Sequence, residues 1–341
     1  MSGERELIET LSSIFRQPHP GVQTGIGDDC AVLTVDGATL LLTIDAFVED
    51  VHFRRGFAPP RVLGSRAAAA AISDIAAMGG DVVALLVTAA LGPSWTRADA
   101  EEIAAGIAAR AKAAGGAVIG GDTASSPGPL LLDIAVLGRI PPGSRPVTRA
   151  GAAAGDLLAV TGTPGEAALG LGQLMGTLSL DPEERARAVA RHLDPTPRLR
   201  EGRCLASCPG VQAMVDISDG IARDVGHIAR GADLVATIDP ALLPCSPALS
   251  GLRGRAPELW QAAALGGGED YELAVALRPG DARRIRARLE AETGTRLTII
   301  GRLGSRVEGD PWVRFPDGTS MDDLGFGHPV QGAAPTSRRG T

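Results

Sequence analysis

The stretch Arg61-Val-Leu-Gly-Ser-Arg66-Ala-Ala-Ala-Ala-Ala-Ile-Ser73-Asp74-Ile-Ala-Ala-Met78-Gly79-Gly80-Asp81-Val82-Val-Ala-Leu-Leu-Val-Thr-Ala89 sets the pattern for the whole chain. Its first part predicts a helix over 61–78 that stops at Gly79-Gly80, as a helix with a left-handed cap does. The apolar run 82–89, rich in Val and Leu, then reads as a strand. Within the helix, Asp74 puts a carboxylate among apolar residues, where an unpaired charge costs several kcal/mol. It needs a partner, either a metal ion or a buried arginine such as Arg66.

Working outward, the runs 39–44, 117–119 and 130–137 also read as strands, and Thr96 with Asp99 resembles a capping box opening an Ala-rich helix that ends at Gly115-Gly116. Pro141-Pro142-Gly143-Ser144 is a strong break, which places a boundary between a domain at 1–147 and a second at 148–330. The second half alternates again. Strands are expected at 156–161, 213–217, 232–238, 271–277 and 297–302, and helices after Gly165 and at 182–192, 219–230 and 281–293. The tail 331–341 has too few apolar residues to pack and is expected to be mobile. The alternation predicts an α/β (α+β) fold in two lobes.

Composition excludes several classes of function. With 341 residues, 44% apolar and 21% charged, the chain has a globular balance, and no apolar run approaches the ~20 residues that span a bilayer. The N-terminus lacks the apolar core of a secretion signal, so the cytoplasm is the default location. Cys30, Cys204, Cys208 and Cys245 form no Cys-x-x-Cys pair, which argues against a disulfide framework and a zinc site. A net charge of −7 disfavours nucleic acid as a partner, and one tyrosine with 3% aromatic residues offers no stacking platform for bases.

Other aspartates sit in short Gly-, Ser- or Thr-bearing segments: Gly25-Ile-Gly-Asp28-Asp29, Thr43-Ile44-Asp45, Gly120-Gly121-Asp122 and Asp216-Ile-Ser218-Asp219-Gly220. Carboxylates beside apolar runs, in a chain with a single lysine (Lys112) and no Gly-x-x-x-x-Gly-Lys loop, point to magnesium and phosphate. Asp45 and Asp122 are each expected to end a strand, where ligands gather in α/β folds, although either acid suits a cap. Ser218 and Asp219 fall near exposed amides where a strand enters a helix; an N-cap role explains one of them and leaves Asp216 without a reason. Three glycines before Glu269 suggest a backbone that wraps a ligand, with turn chemistry as the competing account. Arg149 suits a nucleotide phosphate or plain surface, and His52 a substrate contact or a structural role.

In series, these segments resemble the bacterial thiamine-monophosphate kinases, within the superfamily of aminoimidazole ribonucleotide synthetase, selenophosphate synthetase and a hydrogenase maturation protein. The carriers are Gly25-Ile-Gly-Asp-Asp29, Asp45-x-x-Val48-Glu-x-Val-His52-Phe53, Ser73-Asp-Ile-Ala-Ala-Met-Gly79, Gly120-Gly-Asp-Thr123 and Val160-Thr-Gly-Thr163. Further along come His192-x-x-Pro195-x-Pro-Arg198, Asp216-Ile-Ser-Asp-Gly220, Gly267-Gly-Glu-Asp-Tyr-Glu-Leu273 and Gly325-Phe-x-His328. The resemblance implies transfer of the ATP γ-phosphoryl group to the phosphate of thiamine monophosphate, with several magnesium ions. It implies metal ligands at Asp29, Thr43, Asp45, Asp74, Asp122, Asp216 and Asp219, with Ile44 offering a main-chain oxygen. Asp29, Asp74, Asp122, Asp216 and Asp219 would carry the catalysis. ATP contacts fall to Gly121, Asp122, Arg149 and Ser218, and substrate contacts to His52, Glu269 and Phe326. A homodimer is also implied, its N-terminal sheets meeting as a barrel.

The chain departs from that pattern at Ile44, where threonine is common, at Ala71, where asparagine is common, and at Ser65, often tryptophan. Two other readings stay open: a paralogue that acts on another small phosphate or on a carbonyl group, and a non-catalytic nucleotide-binding scaffold. So many desolvated carboxylates argue against the scaffold.

Overall fold

The computed structural model describes residues 2–15 and 17–327. His328, the last position of the sequence series, and the tail 331–341 lie outside the described residues. The first half contains α1 (Ser2–Phe15), β1 (Val22–Thr24), β2 (Ala31–Val35), β3 (Ala38–Val48), α2 (Pro60–Ala77), β4 (Asp81–Leu91), α3 (Arg97–Ala113), β5 (Ala117–Ser125) and β6 (Leu131–Arg139). Its strands form one sheet in the order β1-β2-β3-β6-β4-β5. Only β4 and β5 run parallel, joined by α3 as a crossover. Thr96 and Asp99 make the expected capping box, and Gly79 takes a left-handed φ of +75° just past α2.

The second half contains β7 (Leu157–Thr161), α4 (Glu166–Leu174), α5 (Pro182–Leu193), α6 (Leu199–Ala206), β8 (Val211–Asp216), α7 (Ile221–Gly231), β9 (Leu234–Ile238), α8 (Pro247–Arg255), α9 (Pro257–Gly266), β10 (Leu273–Leu277), α10 (Ala282–Thr293), β11 (Leu297–Ser305) and β12 (Val313–Arg314). Its sheet runs β12-β9-β11-β7-β10-β8. The fold is mixed α/β built on two sheets, as expected, although antiparallel pairing dominates both.

Burial differs between the sheets. In the second, alternate residues feed two cores: Val160, Val215 and Ala274 pack with α7, α8 and α9, whereas Ala159, Met214 and Val275 pack with α6 and α10. The first sheet has one core, in which Val32, Leu41, Leu85 and Ile134 meet Ile72 and Ile75 of α2 and Ile103 and Ile107 of α3. Its opposite face carries exposed Leu42, Ile44 and Leu86.

Two sequence expectations are corrected. Asp45 and Asp122 do not end strands; β3 continues to Val48 and β5 to Ser125, so each acid sits within a hydrogen-bonded ladder. The glycines at 120–121 did not break β5, because pairing with Leu86 and Val87 of β4 holds them extended. At Gly121 a Cβ would collide with the Val87 carbonyl.

Candidate active site

The site forms where α2 meets both units. Strand alternation turns Thr43 and Asp45 toward α2, and Thr43 Oγ1 donates to Asp74 Oδ2 at 2.5 Å. Asp216 arrives at the end of β8 and Asp29 from the turn before β2. Carboxylate oxygens of Asp29, Asp74 and Asp216 lie within 4.8 Å of one another. Residues from three separate segments thus share one small volume.

Arg149 is the main counter-charge. Its Nη2 donates to Asp29 Oδ1 at 2.5 Å, and its main-chain N–H donates to Asp28 Oδ2 at 3.1 Å. Burial works against the guanidinium charge, but Asp29 and Asp28 more than offset it and hold its pKa above the usual value. One arginine does not neutralise the group. Burial pushes Asp74 well above the ordinary carboxylate range, with Asp45, Asp216 and Asp29 adding repulsion. Burial and then Asp29 raise Asp216 to about 7; burial, Asp133 and Asp219 raise Asp45 to about 6. Asp29 Oδ2 is buried without a hydrogen-bond partner in the structure. Oxygen donors alone, crowded and short of compensating charge, fit a hard divalent cation such as magnesium.

Beside this wall opens a cavity of about 710 Å³, whose lining includes Asp45, Asp74, Asp216, Ser218 and Asp219 together with His52, Glu269 and Phe326. Most of the residues singled out in the sequence therefore meet here. The loop before Glu269 presses on the loop after Asp216: a Cβ at Gly268 would collide with the Ser218 carbonyl, and Glu269 N–H donates to that same oxygen at 2.8 Å. Phe326 N–H donates to the Asp219 carbonyl at 3.0 Å, bringing the last described segment to the cavity rim.

Several sequence expectations change. Ser218 and Asp219 are not N-caps of α7. Instead Asp224 Oδ2, on the first turn of α7, accepts the amides of Ser218, Asp219 and Gly220, each at 3.0 Å, and so shapes the loop. Sequence reasoning missed Asp224; the available signal was an acid among the apolar residues of an amphipathic helix. Arg66 is not the partner of Asp74 but forms an ion pair with Glu269. Glu272 is fully buried with Arg191 at 2.6 Å and Arg198 at 2.5 Å, which gives those motif residues a structural role. Burial opposes its charge, but Arg198 and Arg191 hold its pKa below the usual range.

Two expected site positions, and the side chain of a third, lie apart. Ile44 is 63% exposed on the open face of the first sheet, opposite to Thr43 and Asp45. Asp122 aligns with Thr88, Asp133 and Ala46 across β5, β4, β6 and β3, which puts it on that open face as well. Three strand spacings, about 14 Å, separate β5 from β3. Gly121 lies beside Asp122 on the same edge strand. Within one chain, neither joins the carboxylate wall.

The chain is similar to known proteins over most of its length. The family profile "AIR synthase related protein, N-terminal domain" matches residues 27–140, and "AIR synthase related protein, C-terminal domain" matches residues 153–313. The chain is 36% identical to thiamine-monophosphate kinase of Escherichia coli (strain K12) over 328 residues, 96% of this chain and 98% of that one. It is 36% identical to thiamine-monophosphate kinase of Bacillus subtilis (strain 168) over 258 residues, 75% of this chain and 78% of that one. Among solved structures, "AaThiL complexed with AMPPCP and TMP" superposes with a TM-score of 0.81 at 27% identity, covering 95% of this chain and 96% of that one.

Proposed function

This chain belongs to the AIR synthase-related family and, within it, to the thiamine-monophosphate kinases, and from that premise we propose that it phosphorylates thiamine monophosphate with ATP. The reading rests on one observation: a wall of mutually repelling carboxylates opens directly into a cavity large enough for two small phosphorylated ligands. The bond from the γ-phosphorus to the β–γ bridging oxygen breaks, an oxygen of the acceptor phosphate forms the new bond, and ADP leaves with the electron pair. The acceptor oxygen is already anionic, so no strong general base is required. The obstacle is to hold two polyanions in line.

Asp29, Thr43, Asp45, Asp74, Asp216 and Asp219, with the Ile44 main-chain oxygen, would hold the magnesium ions. When bound, those ions supply positive charge to the phosphate oxygens. Arg149, which bonds to Asp29, and the Ser218 segment would contact the nucleotide, and Arg149 is suited to bidentate contact with phosphate. His52, Glu269 and Phe326 would contact the acceptor.

A second copy of the chain would complete the site. The open face of the first sheet exposes Leu42, Ile44 and Leu86, and its edge strand β5 exposes Ile119 at 68%. An unpaired apolar edge strand and an uncovered apolar face call for a partner, and two such sheets meeting face to face form a symmetric dimer. Asp122 and Gly121 of one copy would then reach the nucleotide bound by the other. The division of the chain at 147/148 fits the interval between Arg139 of β6 and Leu157 of β7, where Val147 N–H donates to Met78 and Met214 N–H to Thr148. No helix among the described residues is long and apolar enough to cross a membrane, and the cytoplasm, where ATP and magnesium are abundant, is the proposed location.

The test is product analysis with ATP, magnesium and thiamine monophosphate, scoring thiamine diphosphate and ADP together against a control without acceptor. Equal yields of both products support the assignment. ADP without thiamine diphosphate, or neither product, overturns it in favour of a paralogue or a scaffold.

A further inference from the structure

Arg66 of α2 has no role assigned above in holding substrate, nucleotide or metal, yet its side chain is only 1% exposed and touches three residues that line the cavity, Phe47, His52 and Glu269. Its Nη1 donates to the His52 carbonyl at 2.9 Å and its Nη2 donates to Glu269 Oε1. Its guanidinium carbon lies 5.3 Å from the centroid of the Phe47 ring. That ring stacks on His52, with centroids 5.9 Å apart and planes 21° from parallel. His52 Nδ1 accepts the Val48 N–H at 3.0 Å, which places the proton of the neutral ring on Nε2.

Glu269 is also flanked by a buried histidine. Its Oε2 lies 3.4 Å from Nδ1 of the buried His192, and its backbone has a left-handed φ of +67°. A glutamate in that conformation costs roughly 1 kcal/mol and persists only where its surroundings over-determine it. A buried guanidinium is also a poor stabiliser compared with an apolar side chain of similar size. The placement makes sense if the arrangement of Glu269 and His52 matters more than the energy of the core.

We infer that Arg66 is a positioning residue for the acceptor: it fixes the Glu269 carboxylate and the His52 loop at the separation that the acceptor requires. This rests on the reading of His52 and Glu269 as acceptor contacts. Arg66 reaches across the seam from the first unit to the second, so one guanidinium sets the width of the acceptor half of the cavity. Its named contacts are with His52, Glu269 and Phe47 and none is with Arg149 or Ser218, so the acceptor contacts are expected to depend on it more than the nucleotide contacts do.

The experiment compares wild-type protein with Arg66→Met, Arg66→Lys, Glu269→Gln and the double variant Arg66→Met/Glu269→Gln, each checked by circular dichroism and thermal melting. Arg66→Met is expected to raise the KM for thiamine monophosphate by ~10-fold or more while the KM for ATP stays within about twofold, and Arg66→Lys to recover part of the loss. In the Glu269→Gln background, Arg66→Met is expected to add less than about twofold, because the two residues act as one unit. Equal effects on both Michaelis constants, or losses that multiply in the double variant, overturn the inference. If Arg66→Met fails to fold, the same cycle run with Arg66→Lys decides. Wild-type protein that makes no thiamine diphosphate overturns both the acceptor reading and this inference; active wild type with an unaffected Arg66→Met overturns this inference alone.

Discussion

The two sheets are built to similar plans and finished differently. Every residue of β10 in the second sheet is buried, because helices cover both faces, whereas every residue of β5 in the first sheet is exposed. In the first sheet one face buries Leu41, Leu85 and Ile134 under α2 and α3, and the other shows Leu42, Ile44 and Leu86 to solvent. Thr43 and Ile44 are neighbours in sequence and serve opposite faces: one donates to Asp74 and the other joins an apolar patch. A sheet with one finished face can anchor a charged site on the covered side and offer an interface on the open side.

If the covered face carries the chemistry, Asp74→Asn should lower turnover by at least ~100-fold without loss of fold. It should also abolish most of the thermal stabilisation by magnesium that is expected of the wild type. Near-normal turnover would remove Asp74 from the site.

The open face predicts a different result. Asp122→Asn, on the far side of the same sheet, should also lose most activity, and mixing it with Asp74→Asn should restore about a quarter of the wild-type sites, since half of randomly exchanged dimers then carry one intact site. No recovery after verified subunit exchange would mean that both acids act within one chain, and the contrast between faces would lose its functional meaning.

Leu86→Glu tests the apolar patch itself. A charge there should halve the mass measured by light scattering and reduce activity by ~10-fold, with the helix-covered core intact. An unchanged mass would show that this face is not the interface.

The smallest effect concerns the buried seam. Burial, then the charge of Arg66, depresses the His192 pKa to about 3, so His192 is neutral in the folded protein and titrates near 6.5 when unfolded. A depressed folded value means that its contribution is present above pH ~6.5 and is lost as pH falls toward ~3. Relative to His192→Gln, wild type should therefore lose a few degrees more of melting temperature between pH 7.5 and 4.5. Parallel curves for the two proteins would show that His192 is already solvated.

Much of this was readable from local spacing. The helix expected at 61–78 is Pro60–Ala77, and the Thr96–Asp99 capping box is present. Asp74 stood out because one charge in an apolar helix demands compensation, and Asp216 because a capping role left it unexplained. Asp29, Asp74 and Asp216 do come together. The side of the sheet that Asp122 occupies was not readable, because 117–119, bounded by the glycines after it, looked like the whole strand. A single residue of register decides the face, and register in β5 comes from β4.

Charge pairing divides in the same way. Local sequence was sufficient for what depends on neighbours a few residues apart: the limits of α2, the Thr96–Asp99 cap and the alternation of strands and helices in two lobes. Long-range packing chose the partners. Arg66 lies close enough in sequence to Asp74 to suggest a pair, yet it bonds to Glu269, 203 residues away. Likewise Arg149 reaches back 120 residues to Asp29. A buried charge is stabilised by whichever opposite group the folded chain brings within a few ångströms, and that distance is a property of the packed core rather than of spacing along the chain.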